Sequence, residues 1–339
     1  MLEELSAKVR SGEINPIDLV NESLRRIEAA KPLNAVVALY ADEARSLATS
    51  HPRTGALAGL PFLVKDMARV KGHITTAGSA LYADGPADDV DDSVVSRLRE
   101  AGAIIIGRSN SPEFGATAYT TNKVFGATRN PWNTEKSPGG SSGGSAAALA
   151  AGLTPIATTS DGGGSVRAPA SSSGLVGYKP SMGAIGRNVL PRWIDFSTQG
   201  TSGHSVAGVA YEAAVTHGPA NGDFLGLPAK SIALDFLMPR RVLACRTFRT
   251  DVDPDIEANY ESMIDALVAS GVTVERVASP SDNDTIWNWF IMSTAQLTQS
   301  LRHEENHWNE FTDYVQAQLK FGATVTIDQY IAAQRKRHE

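Results

Sequence analysis

The 339-residue sequence predicts an α/β protein with a largely parallel sheet. Three observations carry this expectation. A capped helical segment leads into an apolar strand at residues 91–110, and the same alternation returns at residues 143–159 and again past residue 240. Finally, the apolar runs are continuous rather than alternating, as strands covered on both faces require.

The first element is "NPIDLVNESLRRIEAA", with Asn15 as N-cap, Pro16 at the first helical position and Ile17, Val20, Leu24 and Ile27 on one face. "GLPFLVKD" is a short apolar strand ending in Lys65. "DDSVVSRLREAGAIIIGRSN" gives a capped helix and a buried strand, Ala103 to Ile106. In "GGSAAALAAGLTPIATT", Ala146 to Ala151 form a small-residue helix, Gly152 ends it, and Pro155 to Thr159 form the next strand. Beyond residue 240 come a buried strand "RVLAC", a helix "PDIEANYESMIDALVASG" closed by Gly271, and a strand "VTVERV". From about residue 280 the chain reads as polar helix anchored by Trp287, Trp289 and Phe290, and no internal repeat interrupts it.

Composition narrows the function. With 42% hydrophobic and 20% charged residues, the sequence is that of a globular protein. A net charge of −6 gives no basic surface for nucleic acid, and Arg335-Lys336-Arg337 reads as a solvated helix end. No apolar run is long enough to span a membrane, and the charged N-terminus has no signal-peptide core. Cys245 is the sole cysteine, which excludes an intramolecular disulfide, suits the cytoplasm and reads as an inert core thiol. The acidic stretch "DGPADDVDD" lacks the ligand order of a calcium loop and reads as a solvated loop capping the next helix.

Two Gly/Ser-rich stretches, "KSPGGSSGGSAA" from Lys136 and "SDGGGSVRAP" from Ser160, each run straight into ordered sequence, unlike a linker. In the second, three glycines before Ser165 let backbone N–H groups converge on an anion, either a phosphate or the oxyanion of acyl transfer. Neither stretch has a P-loop lysine after its last glycine, and no dinucleotide fingerprint is present. Acyl transfer needs a nucleophile and a base. His51, His73, His204 and His217 sit in no triad context, and no Gly-x-Ser-x-Gly elbow occurs. Lys65 is the alternative base, provided burial lowers its pKa by about three from near 10.4, at roughly 4 kcal/mol.

"GLPFLVKD", "GGSSGGSAAALAAG", "SDGGGSVRAPAS" and "GLVGYKPS", in this order and spacing, resemble the amidase signature family of serine hydrolases. "AGSALYADG", "GRSNSPEFG", "GATRNPWN" and "HGPANGD" extend the likeness across residues 5–280. The resemblance implies an α/β/α sandwich around a large mixed, mostly parallel sheet. It makes Ser165 the nucleophile, Ser141 the bridging serine after a cis Gly140–Ser141 bond, and Lys65 the base. Gly162, Gly163 and Gly164, with the Ser165 N–H, would form the oxyanion hole. Ser142 would hydrogen-bond within the site, Asp161 and Arg167 would pair to shape the loop, and Lys179 would be structural. Met67, Tyr119 and Thr120 lie on segments that would line the substrate pocket.

The activity implied is hydrolysis of a C–N amide bond, with esters and carbamates within reach, on a small-molecule substrate and without metal or organic cofactor. No nucleic acid or membrane partner is implied, and a homodimer stays open. A second expectation is the A subunit of a glutamyl-tRNA amidotransferase, acting as a glutaminase within a complex. One domain is expected over residues 1–339, with helices at 1–55, a catalytic core at 56–280 and a helical region at 281–339. The sequence departs from the family pattern at Thr159, where a small glycine is usual, and in the compact stretch Asn188 to Thr201. It also stops at Glu339 where the family pattern continues. A competing motif, "HEENH", places His303 and His307 at zinc-site spacing with Glu304 between, but no third ligand follows.

Overall fold

A computed structural model of the chain describes residues 2–228, 232, 237–246, 251–279 and 283–339. Helices α1 (Leu2–Ser11), α2 (Pro16–Ala29) and α3 (Ala41–Thr49) come first, with strand β1 (Val36–Leu39) between the last two. Then follow β2 (Pro61–Lys65), α4 (Ser93–Glu100), β3 (Ile104–Ser109), α5 (Gly143–Ala150), β4 (Ile156–Ala157), β5 (Thr159–Asp161) and α6 (Arg167–Ser172). After them come β6 (Val176–Tyr178), β7 (Thr198–Gly203), α7 (Val206–Thr216), β8 (Arg241–Ala244), α8 (Pro254–Ala269) and β9 (Thr273–Arg276). The last elements are α9 (Asn283–Ser300), α10 (Asp313–Gly322) and α11 (Ile327–His338).

The chain divides into two compact units, Met1–Ile232 with Gln296–Lys320, and Ala233–Ala295 with Phe321–Glu339. In the first, four strands lie in the order β1-β3-β2-β4, where β2 runs parallel to both β3 and β4 and β1 is antiparallel. Every residue of β2 and β3 is buried, which is why Pro61–Val64 and Ile104–Ile106 are continuously apolar before each strand ends in polar residues. Alternation still assigns the faces. Leu63, Ile104, Ile106 and Ala157 pack with Val20, Leu24 and Ile27 of α2, Ala44 and Ala48 of α3, and Ala147 to Leu149 of α5. Phe62, Val64, Ile105 and Ile156 face Val94, Val95 and Leu98 of α4, with Leu2, Leu5, Tyr211 and Val215 of α1 and α7 beside them. Helices on both faces of a mixed sheet make the α/β fold the sequence predicts. Each fully buried Leu, Ile or Phe contributes about 1.5–3 kcal/mol.

Several local expectations are corrected. The strand expected at Pro155 to Thr159 is two strands: β4 closes the four-stranded sheet, and β5 joins an antiparallel sheet of order β5-β7-β6. The reason is local, since Thr159 pairs with Gly200 of β7 and its hydroxyl bonds the same carbonyl at 2.8 Å. The helix expected from Ala146 starts at Gly143, and the strand expected to end at Ile106 runs to Ser109. The acidic stretch is a solvated loop only in part: Asp84 and Asp89 are exposed, whereas Asp88 and Asp91 are tied to the chain. Asp88 accepts from Val70 N and Thr75 Oγ1, Asp91 from Lys71 N and Arg99, and Asp92 stands at the N-cap of α4 without a side-chain capping bond.

In the second unit β8 and β9 pair in parallel. Here "RVLAC" is no buried strand: Leu243 is 60% exposed and only Ala244 is covered. Trp287 is exposed too, although its ring stacks on Phe290 and meets Phe321 edge-on. Among the described residues, no helix is long and apolar enough to cross a membrane.

Candidate active site

The site grows from the carboxyl ends of the parallel strands, where α/β proteins bind ligands. Lys65 is the last residue of β2 and is almost fully buried. Its backbone N–H donates to Thr158 Oγ1 at 2.8 Å. Its Nζ lies 2.7 Å from Ser141 Oγ, 3.0 Å from Ser142 Oγ and 3.0 Å from Ser160 Oγ. The amine therefore meets three hydroxyls and no paired carboxylate among the described residues. Burial pulls its pKa down from 10.5 to about 7, a shift that the Asp161 carboxylate opposes.

The first Gly/Ser stretch supplies the hydroxyls. The Gly140–Ser141 peptide is cis, and Ser142 stands at the N-cap of α5. Its glycines serve close packing: a Cβ on Gly144 would come within 2.3 Å of Asn110 N, and one on Gly143 within 2.2 Å of Thr120 Oγ1. That contact explains the linker-like composition of a rigid segment. Ser142 Oγ donates to Ser160 O at 3.3 Å, and Ser145 Oγ reaches Ser109 Oγ and Thr158 O.

The second stretch forms the turn from β5 into α6. Asp161, buried, forms a two-point pair with Arg167, both contacts at 2.9 Å, and accepts from Gly164 N at 2.7 Å and Val166 N at 3.1 Å. These donors hold its carboxyl below the ordinary range in spite of burial. Ser165 is 9% exposed at the centre of this turn, and its carbonyl accepts from Ser142 N at 3.3 Å, which joins the two stretches. One expectation changes here: the Gly164 N–H already serves Asp161, so it is not a spare oxyanion donor. Gly162 packs where a Cβ would strike the Trp193 ring at 2.5 Å, which sets that indole against the loop.

Of the expected pocket residues, Met67 lies beside Gly115, whose Cβ, if present, would sit 2.8 Å from Met67 Cε and 3.2 Å from Ser141 Oγ. Thr120 is buried and donates to Gly139 O at 2.9 Å, so it braces the first stretch. Tyr119 is 47% exposed with its ring toward Tyr314. Among the described residues, Lys179 bonds its neighbour's carbonyl, Pro180 O, at 2.7 Å. The "HEENH" segment is not an α-helix: residues 302–310 form a 3₁₀ helix kinked at Glu304, in which residues four apart do not share a face. His303 instead meets Glu304 at 3.3 Å and His307 meets Glu310 at 2.7 Å.

Sequence reasoning missed Ser160 and Thr158. Both carry hydroxyls two residues apart just before Asp161, and a period of two was the available signal that they share a face. It also missed Trp193 and its neighbour Arg192, which no local pattern marks.

Comparison with known proteins follows the same lines. The Amidase family model matches residues 18–339. The A subunit of the glutamyl-tRNA(Gln) amidotransferase of Synechococcus sp. (strain CC9605) is 35% identical over 312 residues, covering 87% of this chain and 63% of that protein. The acylamidase of Rhodococcus erythropolis is 38% identical over 329 residues, covering 92% and 69%. Among solved structures, 6-aminohexanoate cyclic dimer hydrolase superposes with a TM-score of 0.90 at 28% identity, over 99% of this chain and 74% of that one. A bacterial aryl acylamidase of the amidase signature enzymes does so with a TM-score of 0.90 at 28% identity, over 98% and 74%. The chain spans 63% of the length of the first relative, less than two thirds.

Proposed function

The chain belongs to the Amidase family, and from that premise we propose that it is a serine hydrolase cleaving a C–N amide bond through an acyl-enzyme. The observation that carries this reading is the buried Lys65 amine, 2.7 Å from Ser141 Oγ, whose pKa burial pulls down to about 7. A neutral amine has two N–H donors and one lone pair. The Ser142 hydrogen is committed to Ser160 O, so Lys65 donates to Ser142. Its second hydrogen serves Ser160, and the lone pair is left to receive the Ser141 proton.

On this proposal Ser165 Oγ attacks the carbonyl carbon and gives its proton to Ser141, which passes its own to Lys65. The N–H groups of Gly162, Gly163 and Ser165 stabilise the oxyanion, while Gly164 keeps Asp161 and the turn in place. The proton returns through Ser141 to the leaving nitrogen, and water, activated by the same relay, releases the acid. The enzyme would act in the cytoplasm on a small-molecule amide, alone or as a homodimer, without metal or organic cofactor.

The test is intact-mass spectrometry after a fluorophosphonate serine probe. A single adduct on the parent and none on Ser165→Ala is expected; an undiminished adduct on the variant refutes the assignment. A second reading rests on the 35% identity to the A subunit of a glutamyl-tRNA(Gln) amidotransferase. It holds that the chain releases ammonia from glutamine inside a complex. Hydrolysis of aryl or short aliphatic amides by the purified chain alone would exclude it.

A further inference from the structure

Arg192 stands beside this site and the mechanism gives it nothing to do. Its guanidinium carbon lies 4.7 Å from the centroid of the Phe114 ring. Phe114 itself adopts a left-handed backbone, φ 53°, which a non-glycine residue takes up only where its surroundings enforce it. The next residue, Gly115, is the one that abuts Ser141 Oγ and Met67. The residue after Arg192 in the chain, Trp193, packs on Gly162 of the nucleophile turn. Arg192 thus packs on the residue next to the one that abuts Ser141, and Trp193 packs on the nucleophile turn.

The cation is also under-used. Arg192 is half-buried, and burial lowers its pKa from the ordinary arginine value. The Tyr82 hydroxyl interacts with it and donates to Glu304 at 3.1 Å. Among the described residues no carboxylate pairs with it directly, in contrast to Arg167 on Asp161 and Arg108 near Asp66 and Asp88. A guanidinium has five donors in a fork that matches a carboxylate. Most of them are left for something these residues do not provide.

We propose that Arg192, held against Phe114 and Tyr82, is an anion subsite of the substrate pocket, so that the amide cleaved carries a carboxylate a few bonds from the scissile carbonyl. The inference rests on the amide-hydrolase reading above and deepens it by naming the substrate class. The aromatic ring fixes the cation in place, and the carboxylate takes two parallel N–H bonds that orient the scissile carbonyl toward Ser165. An ω-amide of a dicarboxylic acid has this form. A neutral amide of equal length would fill the pocket but leave the guanidinium without a partner.

The experiment compares succinamate with butyramide, which are close in length and differ in the carboxylate. In the inactive Ser165→Ala protein, calorimetry is expected to show succinamate binding roughly 10- to 100-fold tighter, the range of a charge-assisted hydrogen-bonded pair. Arg192→Gln in that background should bring the ratio close to one, and Arg192→Lys should restore part of it. In the active enzyme the same ratio should appear in kcat/KM, mainly through KM. Equal binding of the two compounds, or a ratio that survives Arg192→Gln, overturns the proposal. If Arg192→Gln does not fold, added salt decides: the parent's ratio must fall as ionic strength rises, and a salt-independent ratio is fatal. Failure of the amide-hydrolase reading looks different, because then the active chain turns over neither amide while binding remains measurable.

Discussion

Lys65→Met removes the amine while keeping a similar apolar stem, and it should separate the stability of the fold from its activity. In the unfolded chain this lysine keeps its proton up to pH 10.5, whereas in the folded chain it releases it near 7. The unfolded state therefore binds more protons between those values, and stability rises with pH across that window. The penalty for burying the amine is fully present below pH 7 and gone above 10.5. At pH 7 it amounts to about 4 kcal/mol, and it shrinks by about 2 kcal/mol on going to pH 9. Methionine carries no such penalty, but it abandons the Ser141, Ser142 and Ser160 hydroxyls, at roughly 1 kcal/mol each. The variant should consequently be slightly more stable than the parent at pH 7, and should lose that advantage by pH 9. Urea unfolding of both proteins at pH 7, 8 and 9 measures the difference directly. Activity should fall by several orders of magnitude, and the parent's kcat/KM should rise with pH and level off above about 7. A stability difference that does not change with pH would mean that Lys65 stays charged in the fold. It could not then be a base, and the proton route through Ser141 would fail with it.

The remaining predictions are simpler. Ser141→Ala interrupts the proposed relay and should lower kcat by about 10²–10⁴-fold, with the thermal midpoint nearly unchanged; a normal rate in steady-state assays would show that the proton travels another way. Gly144→Ala drives a methyl group into Asn110 N at 2.3 Å. It should destabilise the chain by at least about 1–3 kcal/mol in denaturant titration, whereas a flexible linker would tolerate it. Chelation with EDTA should leave the rate as it was, since His303 and His307 do not share a helical face. Inhibition that zinc reverses would return the "HEENH" segment to consideration.

How much of this was legible in the sequence depends on the range of each signal. The α/β alternation was visible because burial on two faces imprints continuous apolar runs on β2 and β3, and one-sided burial imprints a period on α2. The Gly/Ser stretches were recognisable as rigid because each ran directly into an element, and Lys65 stood out as a cation closing an apolar strand. The positions proposed for the nucleophile, the relay and the base came from the family resemblance that four motifs in fixed order carry. The sequence by itself thus determined which residue types stand at the site, since local periodicity and backbone demands act over a few neighbours. Tertiary structure alone decided their partners. Lys65 meets Ser141 and Ser160 across 76 and 95 residues of chain, a separation that no local pattern encodes. It also spent the Gly164 N–H on Asp161, divided the strand before Ser165 between two sheets, wound "HEENH" into a 3₁₀ helix and laid Arg192 on Phe114. Hydrogen bonds and charge pairs form wherever the folded backbone brings groups within about 3 Å, and that proximity is a property of the whole fold rather than of any segment.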